Sequence, residues 1–406
     1  MTPATEDTAQ AVTKVIAEAK RELSSRTPAL VDLSHEVFGF SELRFAEHRS
    51  SARVAAYLDS EGFDVVSGVA DMPTAFRARR RIGSGGPTIA IFCEYDALAG
   101  IGHACGHNLI ATAGAGAAAT AGALLAAENT PCDLVVLGSP AEEGGGGKVK
   151  LIEAGELEGV DVAIMVHPAG FDAVYKPNLG RISLETTFIG KASHAAASPD
   201  EGRNALDGAT LFLSAIGLLR QQLRSSSRIH AIITEGGDAV NVIPERAKLA
   251  VFVRSPDRSY LFDRLLPAVL DCARGAALAT GTTLEWEEVE PAYEPMILNP
   301  VLGDLAGTAL EALGRSPANT DPKGDSAGST DMGNVSHVVP SLHPYVCVVP
   351  GATTHTRDFA EAARSEAGDR AAIDGAAMLA VIAVVLARHP DLVDEAKRLF
   401  NKDARP

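Results

Sequence analysis

The sequence predicts an α/β protein: a mixed, largely parallel sheet flanked by helices, interrupted by an inserted ferredoxin-like α+β domain. Three observations carry this. Short apolar runs, Pro87–Cys93, Asp133–Leu137 and Val160–Val166, alternate with helical patterns in the first part of the chain, as strands covered on both faces of a parallel sheet do. Near Pro177 the pattern changes to strict alternation, Ile182, Leu184, Thr186 and Phe188 against Ser183, Glu185 and Thr187, which describes a strand with one wet face. The chain has 406 residues, 46% of them hydrophobic, too many for one ordinary domain.

Taken in order, Thr8–Leu23 and Arg44–Leu58 carry apolar residues at helical spacing, the second stopping near Gly62, and Phe63–Val66 reads as a strand. The run Arg77-Ala78-Arg79-Arg80-Arg81 reads as a solvated strand end and turn. Ala111–Ala127 contains Gly114, Gly116 and Gly122 and few bulky residues, and Ala371–Ala387 has an apolar run short for a span, after Asp374 and before Arg388-His389-Pro390. Both are expected as buried helices packed closely on a sheet, not as membrane spans. The insert then reads strand Arg181–Phe188, helix Ala205–Leu223, strands Arg228–Thr234 and Ala247–Val253, helix Ser259–Ala279 and strand Thr283–Glu288. Strand, helix, strand, strand, helix, strand is the split ferredoxin-like order. The expected domains are therefore residues 1–179 and 291–406 as one body, with 180–290 inserted.

A formal charge of −16 argues against nucleic acid and anionic membrane as partners. Cysteines at 93, 105, 132, 272 and 347 form an odd, scattered set, unlike a secreted disulfide framework. A cytoplasmic location is expected, since the N-terminus carries Glu6 and Asp7 and no basic start before an apolar stretch.

Potential metal ligands fall at the ends of the apolar runs. Gly102-His103-Ala104-Cys105-Gly106-His107-Asn108 lies between the run ending near Cys93 and the small-residue helix. There a thiolate and an imidazole can point at one centre. Alone, the pair reads equally well as a buried thiol beside a structural histidine. Glu142-Glu143, opening into Gly144–Gly147, follows the run Leu134–Leu137 directly. Adjacent carboxylates at such a place are costly in a core, though a solvated turn also accommodates them. A third run ends on His167-Pro168. Open α/β sheets bind ligands at the carboxyl ends of their strands.

These motifs, with Ser34–Glu42, Glu94–Leu98, Pro140–Glu143, Gly190–His194, Asn241–Pro244 and Thr354–Arg357, make the chain resemble the M20 metallopeptidase and amidohydrolase family. Within it the likeness is to the branch of aminobenzoyl-glutamate hydrolases and M20-domain dipeptidases. The resemblance implies a dimetal exopeptidase-like catalytic domain with an inserted lid and dimerisation domain. It implies that Cys105, His107, Glu143, His167 and His355 hold two divalent ions, Cys105 bridging, with Glu142 as general base and Asp96 orienting a ligand. Zinc, manganese, cobalt and nickel all suit mixed thiolate, imidazole and carboxylate ligation. His194 is implied as a donor reaching the partner subunit's site in a homodimer, and Asn241 and Arg254 as the clamp for a substrate carboxylate. The resemblance also places Gly328–Gly333 beside the catalytic cleft and makes Asn108, where relatives often have Asp, a branch marker. His103 matches no ligand position and is expected either to support the ligands from behind or to be structural. The implied reaction is cleavage of the amide bond of a dipeptide or an N-acyl or N-aroyl amino acid. A deacetylase, a carbamoylase and a binding protein without catalysis are the alternatives.

Overall fold

The computed structural model describes residues 3–318 and 328–403. The first run of the chain contributes β1 (Asp64–Ser67), β2 (Phe76–Ile82), β3 (Thr88–Glu94), β4 (Cys132–Ser139), β5 (Val162–Ile164) and β6 (His167–Ala169). Next come β7 (Gly180–Ile189), β8 (Arg228–Glu235), β9 (Arg246–Ser255) and β10 (Thr283–Glu288), and the chain then returns through β11 (Ser341–Leu342) and β12 (Tyr345–Cys347). Contacts divide the chain into two units. One is built from the described residues of Met1–Pro177, Ile297–Ser326 and Asn334–Pro406, the other from those of Asn178–Met296 and Ala327–Gly333.

In the first unit the large sheet has the order β1-β2-β4-β3-β5-β11. The pairs β3/β4, β3/β5 and β5/β11 are parallel, and β1/β2 and β2/β4 are antiparallel. This is the mixed, largely parallel sheet that the apolar runs predict. The arginine run differs: it lies inside β2 and is not a strand end and turn. Phe76, Ala78 and Ile82 are buried, while Arg79 and Arg81 on the other side both bond Asp133 of β4 and Arg77 bonds Glu156. Cross-strand pairing satisfies a charge density that, in sequence alone, reads as solvated.

The helix His107–Glu128 packs on this sheet, and its glycines allow the approach. A Cβ on Gly114 would lie 2.6 Å from Cys93 Sγ and 2.9 Å from the Phe92 carbonyl oxygen. The helix Glu366–Arg388 is buried along most of its length in the same core. By length and composition these two helices pass as membrane spans, yet both are core helices here.

The second unit is a four-stranded antiparallel sheet, order β10-β7-β9-β8, with the helices Ala205–Leu219 and Leu266–Thr280 on one face. Their apolar residues, Phe212, Ile216, Val269 and Ala273 among them, pack on Ile182, Leu184, Leu249 and Val251 to form a separate core. The alternation in β7 and β9 supplies one apolar face, and the helices cover it.

Candidate metal centre

Parallel pairing sets β3, β4 and β5 side by side with their carboxyl ends on one edge, and the potential ligands follow from those ends. β3 ends on Glu94 and is followed by Asp96. β4 ends on Ser139 and is followed by Glu142 and Glu143. The run expected to end on His167 breaks after Ile164, and His167 opens β6, which pairs with β12. Cys105 sits in the turn before the helix His107–Glu128, and His107 is that helix's first residue. The turn is tight at Gly106, which has φ 76° and where a Cβ would lie 2.6 Å from Pro168 Cγ.

Two residues that are not glycine hold left-handed backbone here. Ala141 has φ 60° and His355 has φ 64°, a conformation costing about 1–2 kcal/mol in an L-residue. Both are tied down. Ala141 N donates to Glu47 Oε1 at 3.0 Å, and His355 N donates to the Ala104 carbonyl at 2.8 Å. The second bond brings a residue 250 positions downstream onto the Cys105 turn.

The five expected ligands come together within the first unit. Cys105 Sγ is 3.5 Å from His167 Nε2, Glu143 Oε1 is 3.1 Å from His355 Nε2, and His107 Nε2 is 4.0 Å from Glu143 Oε1. Cys105, His107 and His167 form one group whose donor atoms all lie within 4.8 Å of one another, and Cys105, Glu143 and His355 form another. Cys105 belongs to both, as a bridging thiolate would. Donors held about 2.0–2.3 Å from one ion lie roughly 3–3.7 Å apart, so the 3.5 Å Cys105–His167 and 3.1 Å Glu143–His355 separations suit metal ligation. His107 Nε2 is buried with no hydrogen-bond partner among the described residues, a costly state that a bound cation resolves. Glu142 is buried and grouped with His107 and Glu143.

The electrostatics fit the same reading. Asp96 Oδ1 accepts from His107 Nδ1 at 3.0 Å, and Asp96 Oδ2 accepts from Glu143 N at 2.9 Å. One carboxylate thus orients two ligands, leaving the Nε2 of His107 facing the cluster. Burial alone pushes the His107 pKa down, but the Asp96 carboxylate outweighs it and holds the imidazole well above its ordinary value. Burial and the nearby Glu143 carboxylate push the Cys105 thiol well up, so a cation is what would draw the thiolate out. Burial works against the Glu143 charge, yet hydrogen bonding to His355 and the charge of His107 leave its pKa lowered. His167 is pushed down to about 4, chiefly by burial, which keeps its imidazole neutral as a ligand must be.

His103 is buried and structural, its Nε2 bonding the Val37 carbonyl at 3.0 Å. Asn108 Nδ2 donates to Ser34 Oγ and the Ala363 carbonyl, tying three segments together behind the ligands. Sequence reasoning missed two groups. His343, buried, tilts against the His167 ring at 5.5 Å. Glu94, fully buried, pairs with fully buried Lys148. Glu94 is the last residue of β3 and His343 directly follows β11, so the rule that found Glu143 applies to them as well.

His194, Asn241 and Arg254 lie in the second unit. His194 and Asn241 meet there, Ala195 N donating to the Asn241 carbonyl at 3.0 Å and His194 bridging Val242. His194 Nδ1 accepts from Ala196 N and Ala197 N at 3.2 and 3.1 Å, which leaves its proton on the exposed Nε2. Arg254 is half-buried on β9 with Arg181 and Arg228 as cross-strand neighbours. Burial, then Arg181, lower its pKa. Its Nε is buried with no hydrogen-bond partner among the described residues, and its guanidinium lies over the Phe252 ring at 5.3 Å. Leu179 N donates to the Gly328 carbonyl, attaching the start of the Gly328–Gly333 loop to this unit.

Comparison with known proteins gives a family match over residues 93–383 to peptidase family M20/M25/M40. Over 379 residues the chain is 39% identical to the Xaa-Arg dipeptidase of Mus musculus, covering 91% of this chain and 88% of that protein. Over 312 residues it is 34% identical to one of the chains of the p-aminobenzoyl-glutamate hydrolase of Escherichia coli K12, covering 71% of this chain and 63% of that protein. A dinuclear metal-binding M20 peptidase from Bacillus subtilis shares the fold, with a TM-score of 0.63 and 21% identity, covering 89% of this chain and 99% of that one.

Proposed function

Because the chain belongs to peptidase family M20/M25/M40, we propose that it is a metal-dependent hydrolase cleaving the amide bond of a dipeptide or an N-acyl or N-aroyl amino acid. The observation that carries this is the convergence of Cys105, His107, Glu143, His167 and His355 into two donor groups sharing Cys105, with Glu142 beside them. Those five residues would hold two divalent ions, zinc, manganese and cobalt among those that suit the donors. Ions held there would acidify a water and polarise the scissile carbonyl. Glu142 takes the proton from the attacking water as its oxygen bonds to the carbonyl carbon. As the C–N bond breaks, the same carboxyl returns that proton to the leaving amine. Glu143 acts as ligand, and Asp96 fixes His107 and Glu143 from behind.

In the second unit, Arg254 and Asn241 bind the free carboxylate of the substrate. The guanidinium of Arg254, whose buried Nε has no hydrogen-bond partner among the described residues, supports this, since a fixed fork of donors matches a carboxylate. The Nε2 proton of His194 is a donor for the oxyanion that develops on the carbonyl. The insert, residues 180–290, makes the enzyme a homodimer with His194 completing the partner subunit's site. Support comes from β8, a sheet edge with exposed Ile232 and Ile233, a surface that a second copy can cover. The enzyme works in the cytoplasm, consistent with five unpaired cysteines.

A panel of dipeptides and acetyl, carbamoyl and aminobenzoyl amino acids, followed by amine release during metal titration, tests the reading. Metal-dependent release from dipeptides or aroyl amino acids is expected. Turnover confined to acetyl or carbamoyl substrates would move the enzyme to a deacetylase or carbamoylase. No release with any metal would leave only a binding protein. The shared site is tested by mixing inactive His194→Ala and Glu142→Gln proteins, where heterodimers should recover part of the activity.

A further inference from the structure

Behind the ligand cluster lies a second charged pair that the proposed chemistry does not use. Glu94 ends β3 and Lys148 lies just past the glycine run that follows Glu143, in the helix Gly147–Glu153. Both side chains are fully buried, and Lys148 Nζ is paired with Glu94 Oε1. Burying an ammonium and a carboxylate together is costly even when they are paired. The pair pins the segment after Glu142 and Glu143 to the end of β3.

The other carboxylate oxygen points elsewhere. Glu94 Oε2 is buried without a hydrogen-bond partner among the described residues, and it stands 3.5 Å from His107 Nε2, which is likewise buried and unpartnered. Two buried polar atoms facing each other in this state call for a shared partner. Two such donors about 2.0–2.2 Å from one tetrahedral ion lie roughly 3.3–3.6 Å apart. Glu94 Oε2 is nearer to His107 Nε2 than Glu143 Oε1 is, at 3.5 against 4.0 Å.

We propose that Glu94 is a further metal ligand, presenting Oε2 to the ion held by His107 while Lys148 fixes Oε1. The inference rests on reading the five-residue cluster as a metal centre and adds a donor to it. Lys148 then acts as a positioning residue: it sets the rotation of the carboxylate and joins the ligand-bearing strand to the ligand-bearing loop. This donor also faces Glu142, since their carboxylate oxygens come within 4.8 Å of one another.

The test uses purified full-length protein, stripped with chelator and reloaded with cobalt(II), whose visible spectrum reports ligand number. Glu94→Gln keeps the shape and an acceptor for Lys148 but loses the carboxylate. Its cobalt affinity by chelator competition should fall about 10-fold or more, with a changed visible spectrum. Wild-type stoichiometry, affinity and spectrum in this variant would overturn the proposal. If Glu94→Gln fails to fold, the double variant Glu94→Gln/Lys148→Met, which leaves no unpaired buried ammonium, is read by the same criteria. A crystal structure of the loaded wild type decides without any variant: Oε2 within roughly 2.0–2.5 Å of an ion supports ligation, and an oxygen out of reach refutes it. A wild type that takes up no cobalt would instead overturn the metal centre as a whole.

Discussion

Replacing Asp96 by asparagine removes one charge and changes one atom, yet the geometry leaves the amide no good orientation. Asp96 accepts from His107 Nδ1 at 3.0 Å through Oδ1 and from Glu143 N at 2.9 Å through Oδ2, and it is 1% exposed, so water does not fill a mismatch. If the amide nitrogen faces Glu143, two N–H donors meet and a buried backbone donor is left unsatisfied, at a cost of about 1–3 kcal/mol. If it faces His107 instead, Nδ1 must become the acceptor, the ring proton moves to Nε2, and the ligating lone pair is lost. Loss of such an outer partner lowers metal affinity by about 10–100-fold, which is about 1.4–2.8 kcal/mol and matches the first figure. The assay is chelator competition for zinc or cobalt, with circular dichroism to confirm folding. A folded Asp96→Asn protein with affinity within about threefold of wild type would refute the claim that Asp96 sets the ligand geometry.

Three further outcomes are expected. Glu142→Gln should keep its metal and lose about 10²–10⁴-fold in turnover, whereas Glu143→Gln should lose metal; equal metal content in the two would undo the division of labour between them. Loading metal near neutral pH should release about two protons, because Cys105 and His107 both have pKa values held well above their ordinary ones and must deprotonate to ligate. Affinity should therefore weaken as pH falls, and calorimetry in buffers of different ionisation enthalpy that finds no proton release would contradict this. Gly114→Ala should destabilise the first unit by about 1–2 kcal/mol, the clash with Cys93 Sγ and the Phe92 carbonyl outweighing the gain in helix propensity; an unchanged denaturation midpoint would show that the helix has room to shift.

Much of this site was legible in the sequence because its logic is local. Glu143 follows directly on an apolar run, the Cys105-Gly106-His107 turn opens a small-residue helix, and the alternation after Pro177 marks the insert without any knowledge of contacts. Periodicity and strand ends are properties of a few consecutive residues, so the chain states them itself. The arginines of β2 were misleading because their partner, Asp133, lies about fifty positions away in sequence. What only the tertiary structure decided are the pairings across such distances: His355 brought onto the Cys105 turn, Asp96 shared between His107 and Glu143, His343 against His167, and Glu94 buried with Lys148. The resemblance points to His355 and Asp96, but periodicity and spacing alone do not say which residue each of these meets. Burial is what decides the pairing, because a charge or lone pair removed from water must find its partner in the fold, and sheet register and helix packing fix which partner is within reach.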